Sequence, residues 1–217
     1  PDTIFEIGGQ DSKYISLQPE GGDSGEMIVV DFTMNEACAA GTGSFLHELA
    51  NKLGINIVGE FQKIALSSRS PINLAERCTV FMESDLISFA QRGARREDLI
   101  AGLCFAIVHN YLNRVVQKRR IGNRVMFLGG PSLNKGIVAA FENVLAREIT
   151  TPPHREVLGA HGVALSLREK RGENPCSSSF PGVANLIGSS VTFTEKMCRA
   201  DKNCHNECKL KIYDCLL

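Results

Sequence analysis

The sequence predicts an α/β domain with a mixed sheet, followed by a separate cysteine-rich tail. Two observations predict the domain: β-rich runs alternate with amphipathic helical segments over residues 1–170, and glycine pairs follow two of the predicted strands. Such alternation is typical of layered packing, with helices on both faces of the sheet. A third observation predicts the tail, because five of the eight cysteines fall between residues 176 and 215.

The first third of the chain predicts a meander of strands and then two helices. Strands are expected over residues 3–7, 13–17 and 27–31, which are rich in β-formers and separated by turn-forming residues. A helix is expected over 45–53, where Gly54 ends it as a C-terminal cap. A second short helix is expected over 58–67.

The middle of the chain predicts long helices around a short buried strand. The helical segments are 86–91 and 95–119, the second with an apolar stripe on one side. A strand over 124–128 ends at a glycine pair, and Ser132 is expected to cap the next helix, to about residue 146. A strand over 148–151 and a helix over 157–169 complete the domain, and this last helix is expected to leave its apolar side partly exposed.

Charge and hydropathy exclude several classes of protein. The chain has 24 basic and 24 acidic residues, and this balance argues against bulk attraction to nucleic acid or an anionic membrane. No apolar run reaches the length of about eighteen residues that a membrane span needs. Residues 1–10 show no secretory signal, so we expect a cytoplasmic protein with reduced thiols. Cys104 lies in an apolar helical pattern and is expected to be buried packing.

Three glycine-bearing loops predict a nucleotide cleft built from separated segments. Gly8 and Gly9 follow the first strand, Gly129 and Gly130 follow the strand over 124–128, and Gly41-Thr42-Gly43 precedes a helix. Glycine lets the backbone turn sharply, and main-chain N–H groups in such turns can bind phosphate. Each pair alone is an ordinary turn; none matches the P-loop or the dinucleotide fingerprint.

Gln10 and Asp11 directly follow the first glycine pair. A carboxylate there could order water on a bound Mg²⁺ ion, and the amide could orient the attacking water. Local sequence supports equally well an Asp11 that only caps the turn.

Four motifs in order resemble one protein family. They are Glu6-Ile7-Gly8-Gly9-Gln10-Asp11, the stretch from Asn35 through Cys38 to Gly43, the stretch from Cys78 to Ser84, and Gly129-Gly130 with Asn134. Over residues 1–168 the chain resembles the activators of 2-hydroxyacyl-CoA dehydratases and benzoyl-CoA reductases. These belong to the superfamily of actin-like and Hsp70-like ATPases, with a ribonuclease H-like fold.

The resemblance implies a site and a reaction. Gly8 to Asp11 would form a phosphate-binding element, Gly41, Thr42 and Gly43 would line the cleft, and Gly129, Gly130 and Asn134 would border the adenosine. Cys38 and Cys78 would each give one thiolate to a 4Fe–4S cluster shared by a homodimer, which matches the four thiolates that such a cluster needs. ATP hydrolysis with Mg²⁺ would drive an electron, supplied by a ferredoxin or flavodoxin, to a dehydratase or reductase partner.

The chain departs from the family pattern in two ways. The family's first phosphate loop and first lobe have no counterpart here, so residues 1–170 are expected to be the second lobe of a longer protein, with weak or undetectable ATP affinity alone. Residues 171–197 are expected to be a linker or extended segment. Residues 198–217 form a cysteine-rich appendage in which Cys198, Cys204, Cys208 and Cys215 could bind zinc or a second cluster, or be free thiols.

Two other functions fit parts of the sequence. A kinase-like phosphotransferase of the same superfamily should carry a pocket for a second substrate, and the sequence offers no candidate for one. A non-catalytic module of a large fusion protein is the other alternative, because the first phosphate loop is missing.

Overall fold

The computed structural model describes residues 1–21, 26–35, 41–75, 79–172, 179–180, 182–188, 190–200, 204 and 208–216. These residues divide into two compact units, Pro1–Glu169 and Lys170–Leu217.

The first unit is built on a five-stranded mixed sheet. The strands are β1 (Thr3–Ile7), β2 (Ser12–Pro19), β3 (Met27–Met34), β4 (Val125–Leu128) and β5 (Ile149–Thr150), in the spatial order β3-β2-β1-β4-β5. The β1–β2 and β2–β3 pairs are antiparallel, whereas β1–β4 and β4–β5 are parallel. The predicted meander and the mixed sheet are therefore confirmed.

Six helices accompany this sheet in the described part of the unit. They are α1 (Gly43–Lys52), α2 (Glu60–Leu66), α3 (Thr79–Gln91), α4 (Arg96–Tyr111), α5 (Lys135–Leu145) and α6 (Leu158–Arg171). The chain continues from α4 into a π-helical turn, Leu112–Val116, and enters α5 through a 3₁₀ turn, Gly130–Leu133. Gly54 has the positive φ of a helix-terminating glycine, as predicted.

The core lies between one face of the sheet and the helices. Alternate residues of β1 and β4 are buried, and their rings join those of α4 and α5: Phe5, Tyr111, Phe127 and Phe141 lie with centroids 4.9–5.7 Å apart. Arg96–Val116 is long and apolar enough to cross a membrane by composition, yet 72% of its apolar window is buried inside this core. It is therefore the central helix of the domain.

Two expectations for the helices have clear outcomes. Ser132 does not cap α5, because it lies within the 3₁₀ turn and its hydroxyl donates to the Gly129 carbonyl at 2.6 Å. Asn134 is the N-cap instead, and its side chain accepts from the Gly136 N–H at 2.9 Å. The expected exposure of α6 is confirmed: none of its residues is buried, and Val163 is 70% exposed.

The second unit contains a short helix, α7 (Val183–Gly188), and a hairpin of β6 (Ser190–Met197) and β7 (Lys209–Leu216). The sequence-based boundary between 197 and 198 therefore falls inside one antiparallel pair. The stretch 171–197, expected to be a linker or extended segment, contains α7 as well as an extended strand that is paired.

Candidate functional site

The glycine loops meet at one edge of the sheet. β1 and β4 are parallel neighbours, so the loops that follow Ile7 and Leu128 leave the sheet on the same side. The N-terminus of α1 joins them there, because the Gly43 N–H donates to the Gly8 carbonyl at 2.9 Å and the Ser44 N–H donates to the Gly9 carbonyl at 2.8 Å. The structure thus brings together three segments that are far apart in sequence.

Close packing explains why glycine is needed at Gly129. Its φ is +90°, which L side chains rarely adopt, and a Cβ placed there would lie 2.0 Å from the Ile7 carbonyl oxygen. Gly41 is similar, with φ +82° and the Asn110 Oδ1 atom 2.9 Å from the position of a Cβ. A side chain at Gly129 would overlap the backbone at the end of β1, and one at Gly41 would meet the Asn110 side chain of α4. Gly130, in contrast, has open space around its Cβ position.

The loops enclose a cavity of about 430 Å³. Of the predicted site residues, four line it: Gly9, Gly43, Gly130 and Asn134. The other lining residues come from α1, the segment before α2, α2 itself and the 3₁₀ turn, and most are apolar: Leu46, His47, Ile57, Val58, Gly59, Gln62, Pro131 and Leu133. A larger hollow of about 600 Å³ beside Asp31 and Lys118 is open and lies away from every glycine loop, so we place the site in the smaller cavity.

The remaining predicted residues lie behind or beside this cavity. Thr42 is 1% exposed, and it directly precedes α1 as the N-cap residue. Gly8, Gly41 and Gly129 shape the loops through their backbones and do not line the cavity. Their contribution is the close approach of the segments.

Gln10 and Asp11 lie exposed in the turn between β1 and β2. The Gly8 N–H donates to the Asp11 carbonyl at 2.7 Å and closes this turn. Asn35 ties it to the end of β3: its Oδ1 accepts from the Ser12 N–H at 2.6 Å, and its Nδ2 donates to the Gln10 carbonyl at 3.3 Å. The catalytic roles predicted for Gln10 and Asp11 stay predictions. Asn35, for which the sequence predicted no role of its own, fixes the turn.

Gln62 is a cavity residue that the sequence analysis missed. Its Oε1 accepts from the Lys135 N–H at 3.1 Å, next to the Asn134 cap on the same helix terminus. The side chain of Asn134 is buried, and its Nδ2 has no hydrogen-bond partner. Nothing in the local sequence around Gln62 could have revealed this contact, because it joins α2 to α5 across 73 positions.

The cysteines with a predicted role fall into three groups. Cys38 and Cys78 lie outside the described residues, so their ligand role stays a prediction. Cys104 is buried, as expected, and burial raises the pKa of its thiol to about 12. Such a thiol is a packing residue, not a reactive one.

In the tail, the predicted four-cysteine set does not come together. Cys198, Cys204 and Cys208 are free thiols at the loop end of the β6–β7 hairpin, where the Cys198 N–H donates to the Cys208 carbonyl at 2.7 Å. Cys215 pairs in register with Val191, near the opposite end of the hairpin. At about 3.3 Å per residue it lies about 23 Å along the strand from Cys208, too far for one site. Within the described part of the chain, no three His, Cys, Asp or Glu side chains are grouped to hold a metal ion.

Known proteins match this fold and this site region. Residues 1–166 match the model of the BadF/BadG/BcrA/BcrD ATPase family. The 2-hydroxyisocaproyl-CoA dehydratase activator of Clostridioides difficile is 34% identical over 163 residues, covering 75% of this chain and 58% of the relative. The (R)-2-hydroxyglutaryl-CoA dehydratase activating ATPase of Acidaminococcus fermentans is 34% identical over 168 residues, covering 77% of this chain and 61% of the relative.

Two solved structures agree with these sequence matches. The crystal structure of A. fermentans (R)-2-hydroxyglutaryl-CoA dehydratase component A superposes with a TM-score of 0.68 at 34% identity, over 78% of this chain and 62% of that one. The C. difficile 2-hydroxyisocaproyl-CoA dehydratase activator with bound ADPNP gives 0.65 at 32% identity, over 81% of this chain and 65% of that one. The chain spans less than two thirds of the length of these relatives, and its fold is their actin-like ATPase fold. It belongs to the BadF/BadG/BcrA/BcrD ATPase family.

Proposed function

We propose that this chain is the second lobe of an ATP-dependent activator that delivers an electron to a 2-hydroxyacyl-CoA dehydratase or a related reductase component. The observation that carries the proposal is the convergence of three glycine loops on one cavity in a member of this ATPase family. A relative of the same fold has been crystallised with the ATP analogue ADPNP. The proposal includes a homodimer and a ferredoxin or flavodoxin as the electron donor. It also includes a cytoplasmic location, since the thiols that bind a cluster must be reduced.

The cavity fits a nucleotide in size and lining. Ligand sites are mostly apolar with a few placed polar groups, and this cavity has an apolar wall around Ile57, Val58 and Leu133. Gly9 and Gly43 also line the cavity, and their missing side chains leave room for phosphate oxygens. Asp11 and Gln10 lie exposed in the neighbouring turn. In the proposal Asp11 orders water on Mg²⁺ and Gln10 orients the attacking water.

Cys38 and Cys78 are the proposed cluster ligands, on the strength of the family resemblance. When bound, a 4Fe–4S cluster supplies one-electron chemistry. Asn35 gives a short route from the nucleotide turn toward one of them, because it bonds the Gln10–Ser12 backbone and lies three residues before Cys38. A shift of the turn would therefore reach the Cys38 segment through a single side chain.

Substitutions at Gly9 test the nucleotide site. A Cβ at Gly9 meets only the Ser44 Oγ atom, at 3.7 Å, so the fold should accept a side chain there. Gly9→Arg fills the cavity mouth and should abolish ATP hydrolysis in the full-length protein, whereas Gly9→Ala should retain most of it. Unchanged turnover in the arginine variant would remove this turn from the site.

Anaerobic reconstitution with iron and sulfide tests the cluster. The full-length protein should gain the broad absorbance at about 400 nm that iron–sulfur clusters show. Cys38→Ser and Cys78→Ser should each prevent this absorbance from appearing. Cys104→Ser is the matched control, because Cys104 is buried and should not be a ligand. A Cys38→Ser, Cys78→Ser double variant that still assembled the cluster would place the ligands elsewhere.

A further inference from the structure

Cys198 and Cys208 lie directly opposite each other at the loop end of the β6–β7 hairpin. The register of the two strands pairs Met197 with Lys209, so the next pair along the ladder is Cys198 with Cys208. The Cys198 N–H donates to the Cys208 carbonyl at 2.7 Å, so the antiparallel ladder extends through this pair. Residues that face each other across antiparallel strands direct their side chains to the same side of the sheet.

The spacing of this pair fits a disulfide. Opposed residues of an antiparallel ladder have Cα atoms about 4.5–5.5 Å apart, and a disulfide usually joins Cα atoms about 4.4–6.8 Å apart. A reagent can reach both thiols, because Cys208 is exposed and Cys198 is half-buried. Cys215 lies near the other end of the hairpin, opposite Val191, and is not a candidate partner. Cys204, which is also exposed, is the competing one.

A covalent bond at this position would stabilise the hairpin. None of the side chains of β6 is buried, and a two-stranded hairpin without a buried face is only marginally stable in water. The unit that contains the hairpin, Lys170–Leu217, is smaller than about 70–80 residues, the size below which small domains usually carry a disulfide, a metal or another staple. A disulfide at the end of the ladder would close the loop and hold the two strands in register.

We propose that Cys198 and Cys208 are a redox-active thiol pair, which a low-molecular-weight disulfide such as glutathione disulfide converts to an intramolecular disulfide. The Cys208 thiolate, the more exposed of the two, attacks one sulfur of glutathione disulfide, forms a mixed disulfide and releases one glutathione. The Cys198 thiolate then attacks the Cys208 sulfur, which forms the Cys198–Cys208 bond and releases the second glutathione.

The exchange is balanced and reversible. Two protein thiols are oxidised, one glutathione disulfide is reduced, and the two thiol protons end on the two glutathione molecules. Exposed disulfides are the more readily reduced ones, so excess glutathione should break the bond again. The state of the hairpin would therefore follow the thiol–disulfide balance around it, independently of the nucleotide site.

Linkage mapping by mass spectrometry tests the pairing. The reduced full chain is incubated anaerobically with glutathione disulfide, and its remaining thiols are blocked with N-ethylmaleimide before digestion. Trypsin alone leaves Cys204 and Cys208 on one peptide, 203–209, so a second protease that cleaves after Glu207 is needed to separate them. The expected product is peptide 197–199 joined to peptide 208–209, and excess reduced glutathione should remove this product.

Two serine variants are the matched controls. Cys204→Ser should form the same disulfide as the parent, because Cys204 takes no part in it. Cys198→Ser should instead accumulate glutathione on Cys208, because the thiol that resolves the mixed disulfide is missing.

Amide hydrogen exchange measures the effect on the hairpin. Oxidation of the parent should slow exchange in β6 and β7 by about tenfold to a hundredfold, as expected for closing a loop of this length. The amides of β1 and β4 are the internal reference and should not change. In Cys198→Ser, the same treatment should leave exchange in β6 and β7 unchanged.

Three outcomes would overturn the proposal. The first is a product that links Cys204 to Cys198 or to Cys208 in place of the expected pair. The second is a parent protein that keeps glutathione on separate cysteines, since the two thiols would then not meet. The third is an oxidised hairpin whose amides exchange as fast as in the reduced protein, because the bond would then not hold the strands together.

Discussion

Gly129 should be among the glycines least tolerant of substitution, and the cost can be divided into two parts. Its φ of +90° and ψ of 172° lie in a backbone region that is essentially restricted to glycine, and an L residue there costs about 1–3 kcal/mol. The Cβ would also lie 2.0 Å from the Ile7 carbonyl oxygen, which belongs to the backbone and cannot rotate away. Forcing such an overlap typically adds about 1–3 kcal/mol. We therefore expect Gly129→Ala to lower the free energy of unfolding by about 2–6 kcal/mol.

Two control variants separate the parts. Gly59 has φ +84°, ψ −45° and nothing within 4 Å of a Cβ, so Gly59→Ala carries a conformational cost without a steric one, about 1–3 kcal/mol. Gly130 has neither a positive φ nor a neighbour within 4 Å, so Gly130→Ala should change the free energy of unfolding by less than about 0.5 kcal/mol. Because Gly130 lines the cavity, its effect should appear in nucleotide affinity.

Urea unfolding followed by circular dichroism at the helix band measures all three variants. With a slope of about 2–3 kcal/mol per molar urea, Gly129→Ala should move the midpoint by about 1–3 M. A Gly129→Ala midpoint no lower than that of Gly59→Ala would refute the reasoning. It would mean that the contact between the Gly129 loop and the end of β1 is loose, and the convergence of the glycine loops would lose its steric basis.

Two other predictions follow from a thiol and a carboxylate. Native Cys104 should resist iodoacetamide at pH 8.5, because burial raises its pKa to about 12, and labelling should appear only in urea. A hydrogen bond from Ser68 lowers the pKa of Asp98 below its ordinary value, so Asp98 stabilises the fold above that value and loses its effect as the pH falls through its folded pKa. Ser68→Ala should therefore move acid unfolding, followed by circular dichroism, to higher pH; an unchanged transition would dismiss the bond.

The sequence predicted those features of the fold that depend on local pattern. Alternating β-rich runs located β1, β2 and β3, and Gly54 marked the end of α1 through the backbone conformation that glycine allows. Helix starts were less predictable, because capping depends on which of several nearby polar residues has the required backbone geometry. Ser132 had the right chemistry, but the 3₁₀ turn engaged its hydroxyl and moved the cap to Asn134.

The candidate site was predictable only where ligand contact depends on the backbone. Glycines after the predicted strands indicated the loops, because the sequence itself shows which positions lack a side chain. Gln62 was not visible, because its place in the cavity depends on α2 packing beside α5 and on a bond to the Lys135 N–H.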